Sequence, residues 1–273
     1  TVHRQSHGVL ENLLAHGHLQ QLRNASCMPP APDVDNDPDE RYHEHGQRDA
    51  NQQLPVISRD PSGCGCRKIL FFPLYPHYAG ATSATANDQF FRALMEEKWQ
   101  PPVRTVPAYF DRPSYIEALA QSVERAYGAM DTKPDVLVCS YHGVPQRYLM
   151  EGDPYHCQCQ KTTRLLKERL GWEDTQITTT CQSRFGPEEW LKPYTVEEVA
   201  RLAETGKKRI AVIAPAFSAD CIETLEEINE EIHESFEEAG GEHFTYIPCL
   251  NDNPAHMDAL AGVVKRNLLG WLD

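Results

Sequence analysis

Short apolar runs alternate with amphipathic segments along the chain from residue 66 onward. Each apolar run ends in turn residues, as buried strands do, and the segments between them carry apolar residues at helical spacing. The predicted strands are 68–76, 135–143, 176–183, 208–217 and 243–250, and the predicted helices are 85–98, 113–128, 159–170, 195–205, 221–239 and 254–269. This alternation predicts an α/β fold with a largely parallel sheet.

Residues 1–65 lack this pattern. They hold six of the twelve histidines and six of the twenty prolines but a single aromatic residue, Tyr42. A segment of this composition can bury little apolar surface, so we predict that it is disordered or loosely attached.

Charge and cysteine content narrow the class of protein. The net charge of −14 argues against a nucleic-acid binder, which would carry a basic surface. No apolar stretch reaches the roughly 20 residues that span a bilayer. The nine cysteines are odd in number and scattered, which suits free thiols in a reducing compartment. We therefore predict a cytoplasmic protein, with peripheral contact to a membrane surface left open.

Polar residues directly follow several predicted strands. His77, His142, Gln182–Ser183 and Ser218–Asp220 all lie just after apolar runs. Because the carboxyl ends of parallel strands meet at one edge of a sheet, where α/β proteins bind ligands, these residues are expected to gather there. No glycine-rich phosphate-binding motif follows a strand, so the sequence does not indicate nucleotide binding.

The predicted helix 221–239 carries an acidic row, Glu223, Glu227 and Glu231, spaced four residues apart. On an α-helix this spacing places the three carboxylates on one face. Such a row is often a solvated surface. However, like charges at this spacing repel unless a cation or a proton compensates, and the helix begins beside the expected ligand edge. Both interpretations remain open at this point.

His142 also allows two interpretations. A lone histidine after a strand is more often structural than catalytic. A neutral imidazole that faces a carboxylate such as that of Glu223 is nevertheless suited to metal binding or proton transfer.

Six segments from residue 73 onward carry more specific motifs: PLYPHYAGATSATANDQFF, TVPAYFDRPSYIEALAQSV, SYHGVPQRYLMEGDPY, CQSRFGPEEWLKPYT, APAFSADCIETLEEI and LNDNPAHMDAL. In order and spacing they resemble successive motifs of the ferrochelatase family, in the style of its Gram-negative bacterial members. The resemblance covers about 65–273. It implies insertion of Fe²⁺ into protoporphyrin IX, the last step of haem synthesis. It also implies a chelatase-like fold of two Rossmann-like lobes with parallel sheets and the porphyrin between them.

The resemblance also implies roles for individual residues. His142 and Glu223 match the catalytic and iron-site residues on opposite walls of the pocket. Imidazole and carboxylate both bind Fe²⁺ and both accept protons, so which of the two does which is left open. The other implied positions are Glu227, Glu231 and His77 on a metal or proton path, and Tyr78, Ser183 and Trp190 at the porphyrin pocket. Trp190 is equally well explained as a core or lip aromatic residue.

The family's opening strand and glycine-containing loop are not recognisable before residue 65. We therefore predict an incomplete first lobe over about 66–130, a second lobe over about 131–255 and a C-terminal helix over about 254–269, preceded by a non-homologous segment. The alternative to an active enzyme is a non-catalytic remnant that binds metal or porphyrin.

Cys157 and Cys159 form a C-x-C pair, which is weak support for an iron–sulfur cluster. Many ferrochelatases hold a [2Fe–2S] cluster with ligands near the C-terminus, whereas this sequence has no cysteine after Cys249. The pattern favours unliganded thiols over a cluster.

Overall fold

The computed structural model describes residues 67–271, so the segment predicted to be disordered lies outside the described residues. Within this range the strands are β1 (Ile69–Phe71), β2 (Val103–Thr105), β3 (Val136–His142), β4 (Ile177–Gln182), β5 (Arg209–Ile213) and β6 (His243–Ile247). The α-helices are α1 (Thr85–Glu96), α2 (Pro113–Gly128), α3 (Gln146–Met150), α4 (Tyr155–Leu170), α5 (Thr195–Glu204), α6 (His233–Glu238) and α7 (Pro254–Asn267). Two π-helices (Gly80–Ala84 and Glu223–Ile232) and a 3₁₀ turn (Asp174–Gln176) complete the elements.

The predicted α/β class with parallel sheets is confirmed. β1 and β2 form a two-stranded parallel sheet, and the remaining four strands form a parallel sheet in the order β4-β3-β5-β6. The described residues fall into two compact units. The predicted division into lobes at 66–130 and 131–255 stays a prediction.

The smaller unit contains described residues 67–71, 85–105 and 267–271. The ring of Phe71 from β1 stacks on Phe90 from α1, with centroids 4.3 Å apart. Arg104 from β2 lies over the ring of Trp271 at 4.3 Å, and its Nη1 donates to the carbonyl of Asn267 at 2.6 Å. Ring stacking therefore joins this sheet to α1, and the cation–π contact joins it to residues 267–271.

The larger unit contains residues 72–84 and 106–266. Alternate residues of β3 and β5 point to one side of its sheet, where they pack against α5, the second π-helix and α6. The buried residues of this core are Val136, Val138, Val199, Leu202, Ala203, Ile210, Val212, Ala214, Ile228, Ile232, Phe236 and Cys249. β3 is buried along its length up to His142, which explains its nearly continuous apolar sequence.

The helix expected as one α-helix over 221–239 is instead a π-helix over Glu223–Ile232 followed by α6. The preceding turn is α-type, because the N–H of Leu225 donates to the carbonyl of Cys221 at 2.9 Å. The change begins at Glu223, whose carbonyl also accepts a hydrogen bond from the Gln182 side chain at 2.8 Å. A side chain that inserts into the helical hydrogen-bond ladder is a known cause of such a change.

Among residues 67–271, no helix is both long enough and apolar enough to cross a lipid bilayer.

Candidate active site

His142 is the last residue of β3 and is half-buried at the carboxyl edge of the four-stranded sheet. Its Nδ1 lies 2.7 Å from the carbonyl oxygen of Gly143. A carbonyl can only accept, so Nδ1 carries the hydrogen, and in the neutral ring Nε2 keeps its lone pair. The imidazole is thus oriented with a free nitrogen that can bind a metal or accept a proton.

Two aromatic rings flank this imidazole. The centroid of His142 lies 6.5 Å from that of Trp190 and 6.4 Å from that of Phe217. Trp190 is buried. The next residue, Leu191, donates its N–H to the carbonyl of Val144 at 3.0 Å, and this bond holds the backbone beside Trp190 close to the segment that follows His142. The imidazole at this strand end therefore has two aromatic neighbours.

Gly143 is required by close packing at this strand end. Its N–H donates to the carbonyl of Gln182 at 2.8 Å, and an added Cβ would lie 2.7 Å from that oxygen and 3.0 Å from the Trp190 ring. Neither neighbour is the end of a flexible side chain.

We expect Gly143→Ala to destabilise the fold by about 1–3 kcal/mol, because backbone and indole must move apart. Urea unfolding measures this loss, with Gly128→Ala as the control, since an added Cβ there meets nothing within 4 Å. A Gly143→Ala protein as stable as the parent would show that the strand end can relax at no cost.

Gln182 lies beside His142 in the sheet and contacts the acidic row. It is the cross-strand partner of His142 in the β3–β4 register and is 3% exposed. Its Nε2 donates to the backbone carbonyl of Glu223 at 2.8 Å and to Glu227 Oε2 at 3.2 Å. Gln182 thus lies beside His142 in the sheet and bonds to the backbone of Glu223, so the end of β3 and the start of the π-helix meet at the same edge.

Ser183 follows β4 with φ of 62°, in the left-handed region that non-glycine residues seldom occupy. Its backbone N–H donates to Glu227 Oε1 at 2.5 Å, and its hydroxyl donates to Glu227 Oε2. Both carboxylate oxygens of Glu227 thus accept hydrogen bonds from the turn after β4. These charge-assisted bonds hold the strained backbone of Ser183.

A cavity of about 310 Å³ adjoins this turn, and Glu227 and Glu231 both line it. Glu231 is exposed, and Glu223 is not among the lining residues. The described part of the chain contains no group of three or more His, Cys, Asp or Glu side chains arranged to hold a metal ion. The acidic row is therefore divided between the strand edge at Glu223 and the cavity at Glu227 and Glu231.

Asp220 fixes the loop before the π-helix. Its Oδ1 accepts from Tyr246 Oη at 2.5 Å and from Cys249 N–H at 3.0 Å, and its Oδ2 accepts from Asn251 Nδ2 at 2.7 Å. Burial acts to raise the pKa of this carboxyl, but the hydrogen bonds from Tyr246, Asn251 and Cys249 outweigh it, so the pKa is lowered. An ionised Asp220 thereby ties the start of the helix that carries Glu223 to the end of β6.

His77 lies away from the acidic row. It is 2% exposed, its Nε2 lies 2.8 Å from Thr162 Oγ1, and the ring of Tyr141 is 5.5 Å away. Thr162 donates to the carbonyl of Phe110 at 3.2 Å, so His77 Nε2–H is the donor to Thr162. Burial lowers the pKa of His77 to about 3. These contacts favour a neutral structural histidine, and the predicted place on a metal or proton path remains untested.

This burial predicts an acid-sensitive fold. In the unfolded chain His77 takes up a proton near its ordinary pKa of 6.5, whereas the folded chain resists it down to about 3. The contribution of neutral His77 to the free energy of unfolding is therefore complete above about pH 6.5 and is lost as the pH falls towards 3. At pH 5 the loss is about 2 kcal/mol. Urea unfolding at pH 7 and pH 5 should show a smaller loss in His77→Gln than in the parent. Equal losses in both proteins would remove His77 as the cause.

The remaining predicted pocket residue is Tyr78. Its backbone N–H donates to Gln158 Oε1 at 2.8 Å, and the residue is half-buried. Sequence reasoning did not single out Phe217, Tyr246 or Asn251 as site residues. Phe217 is the last residue of the predicted strand 208–217 and lies within a recognised motif, and that position was the available signal.

Comparison with known proteins identifies the family to which the chain belongs. The family model described as Ferrochelatase matches residues 42–268 and so begins inside the segment 1–65. A protein named ferrochelatase from Rhodobacter capsulatus is 73% identical over 226 residues, covering 83% of this chain and 64% of the relative. Another, from Allorhizobium ampelinum, is 54% identical over 228 residues, covering 84% of this chain and 65% of the relative. The chain thus spans just under two thirds of the length of these curated relatives.

Among solved structures, SirB from Bacillus subtilis with Fe³⁺ has a TM-score of 0.57 at 12% identity, over 79% of each chain. This likeness shows the fold alone, which is an α/β fold of the chelatase type. Because the family model matches most of the sequence, the chain belongs to the ferrochelatase family.

Proposed function

We propose that this protein is an enzyme that inserts Fe²⁺ into protoporphyrin IX to form protohaem. The observation that carries the proposal is the oriented imidazole of His142 at the carboxyl edge of the sheet, where its register partner Gln182 bonds to the backbone of Glu223. The relatives named ferrochelatase support the same reaction.

The reaction needs groups of this kind. Metal insertion must strip water from Fe²⁺ and remove two protons from pyrrole nitrogens. Imidazole and carboxylate both bind Fe²⁺ and both accept protons near neutral pH. The apolar walls at Trp190 and Phe217 suit a flat aromatic macrocycle beside the imidazole. We propose that His142 and Glu223 share metal delivery and proton removal.

The outer acidic residues take a supporting role in this proposal. Glu231 is exposed on the cavity that Glu227 also lines, so it can attract hydrated Fe²⁺ from solvent. Glu227 already accepts hydrogen bonds from Ser183 and Gln182 and acts mainly through them. We propose that Tyr78, Ser183 and Trp190 border the porphyrin pocket.

We also propose a reducing, cytoplasmic location, because the described cysteines are free thiols. A [2Fe–2S] cluster is not part of the proposal. Cys157 is exposed and Cys159 is buried on α4, where residues two apart face different directions. The C-x-C pair therefore cannot present both sulfur atoms to one cluster without unwinding the helix.

Anaerobic incubation of the purified chain with protoporphyrin IX and Fe²⁺ tests the proposal. We expect the porphyrin absorption spectrum to be replaced by that of haem, at a rate that depends on both substrates. Samples without iron and samples of a His142→Ala variant are the controls. Porphyrin binding without haem formation would contradict the proposed activity and would identify the chain as a non-catalytic binding protein.

A further inference from the structure

We propose that Gln182 is a positioning residue that holds the segment Glu223–Ile232 in its π-helical form and thereby sets where Glu227 and Glu231 point. The structural part of this inference stands by itself. Only its kinetic consequence rests on the proposed function.

The orientation of the Gln182 amide is determined by its neighbours. Ser140 Oγ donates to Gln182 Oε1 at 2.6 Å, and Ser140 also contacts Thr195 Oγ1 at 2.9 Å. Thr195 Oγ1 in turn lies 2.8 Å from Thr180 Oγ1. All four side chains are at most 3% exposed. Since the buried hydroxyl of Ser140 is satisfied at Oε1, the amide nitrogen must face the π-helix.

This nitrogen acts at the residue where the helix type changes. The turn before Glu223 is α-type, and Nε2 of Gln182 bonds to the carbonyl of Glu223, the first residue of the π-helix. In an α-helix that carbonyl would accept from the N–H of Glu227, whereas in a π-helix it accepts from Ile228.

The second bond of the amide reinforces the first. Gln182 Nε2 and the N–H of Ser183 both hold the Glu227 carboxylate against the turn after β4. The side chain of Glu227 is thereby held at the strand end. The Gln182 amide thus competes with the α-helical bond from the N–H of Glu227 to the carbonyl of Glu223. It also holds the side chain of Glu227, the residue that would donate that bond.

Helix type decides the directions of the acidic row. In an α-helix of 3.6 residues per turn, side chains four residues apart point in directions about 40° apart around the helix axis, and side chains eight residues apart differ by about 80°. In a π-helix, with i→i+5 bonds and roughly 4.4 residues per turn, the corresponding angles are about 33° and 65°, and the rotation around the axis is in the opposite direction. Relaxation to an α-helix would therefore turn Glu231 by about 145° relative to Glu223. Glu223 itself lies next to the Asp220 anchor and would move least.

The test compares Gln182→Met with Thr178→Val, a nearly isosteric control on the same strand and the same face that lies outside the Ser140–Thr195–Thr180 network. Crystal structures of the parent and both variants report the backbone hydrogen bonds of residues 223–232. We expect i→i+5 bonds in the parent and in Thr178→Val, and i→i+4 bonds in Gln182→Met. A second variant, Gln182→Asn, keeps the amide but shortens its reach, and it is used if Gln182→Met does not fold.

Kinetics supply a second measurement that general loosening of the fold would not mimic. We expect the KM for Fe²⁺ to rise about five- to tenfold in Gln182→Met, with kcat reduced less than threefold and the KM for porphyrin unchanged. A retained π-helix in folded Gln182→Met and Gln182→Asn would overturn the inference, as would an α-helix in Thr178→Val. If the parent chain makes no haem, the proposed function fails, while the crystal structures still decide the role of Gln182.

Discussion

Replacing His142 by alanine is expected to lower haem formation at saturating Fe²⁺ and porphyrin by at least about a hundredfold, in the range found for loss of a general base. The imidazole is oriented by its bond to the Gly143 carbonyl, and the rings of Trp190 and Phe217 lie near it. Alanine removes both the metal ligand and the proton acceptor. Because His142 is half-buried at a strand end, the free energy of unfolding should change by less than about 1 kcal/mol.

Steady-state assays of haem formation and urea unfolding of the same preparations check this result. His233→Ala is the matched control, because His233 is also half-buried but pairs with Glu237 at 3.3 Å on α6. Its turnover should equal that of the parent. Near-normal turnover in His142→Ala would remove this histidine from the mechanism, whereas a large loss of stability would assign it a structural role.

Substitutions within the acidic row are expected to differ in kind. Glu223→Gln keeps the shape of the side chain but removes a charge where metal and protons are exchanged, so turnover at saturating Fe²⁺ should fall about a hundredfold. Glu231→Gln changes an exposed residue on the cavity. It should raise the KM for Fe²⁺ severalfold and leave saturated turnover near that of the parent. It should also leave stability unchanged or slightly higher, because one like charge is removed from the row.

Rates measured over a range of Fe²⁺ concentrations separate these effects. Glu230→Gln is a suitable control, since Glu230 is exposed and belongs neither to the acidic row nor to the cavity lining. Equal loss of saturated turnover in Glu223→Gln and Glu231→Gln would refute the division of roles. Parent-like kinetics in both variants would identify the row as a solvated surface.

Much of the fold follows from periodicity. The helix predicted over 113–128 has those bounds in α2, and the predicted strand 135–143 contains β3. Parallel strands with buried faces have few alternative arrangements, so the chain position of His142 was sufficient to place it at the sheet edge. Its neighbour Gln182 was expected at the same edge, and the β3–β4 register confirms this.

The contacts that depend on pairing distant residues could not be predicted. The π-helix results from a side chain on another strand, 41 positions earlier than Glu223, and no local pattern records that bond. Likewise, His77 follows an apolar run as His142 does. The structure surrounds it with Thr162, Tyr141 and Phe110 and not with carboxylates. Strand-end position indicates which residues can reach a site, whereas tertiary packing decides which do.

The Asp220 anchor has a consequence for the order of events during protein synthesis. The donors that hold Asp220 come from Tyr246, Cys249 and Asn251, which leave the ribosome after Glu223 has been made. β6 is also the outermost strand beside β5, and it pairs only after β5 is in place. A nascent chain that has emerged only as far as the acidic row therefore carries its charges without the loop geometry that directs them. Under the proposed function, the ability to direct iron is therefore acquired late in translation.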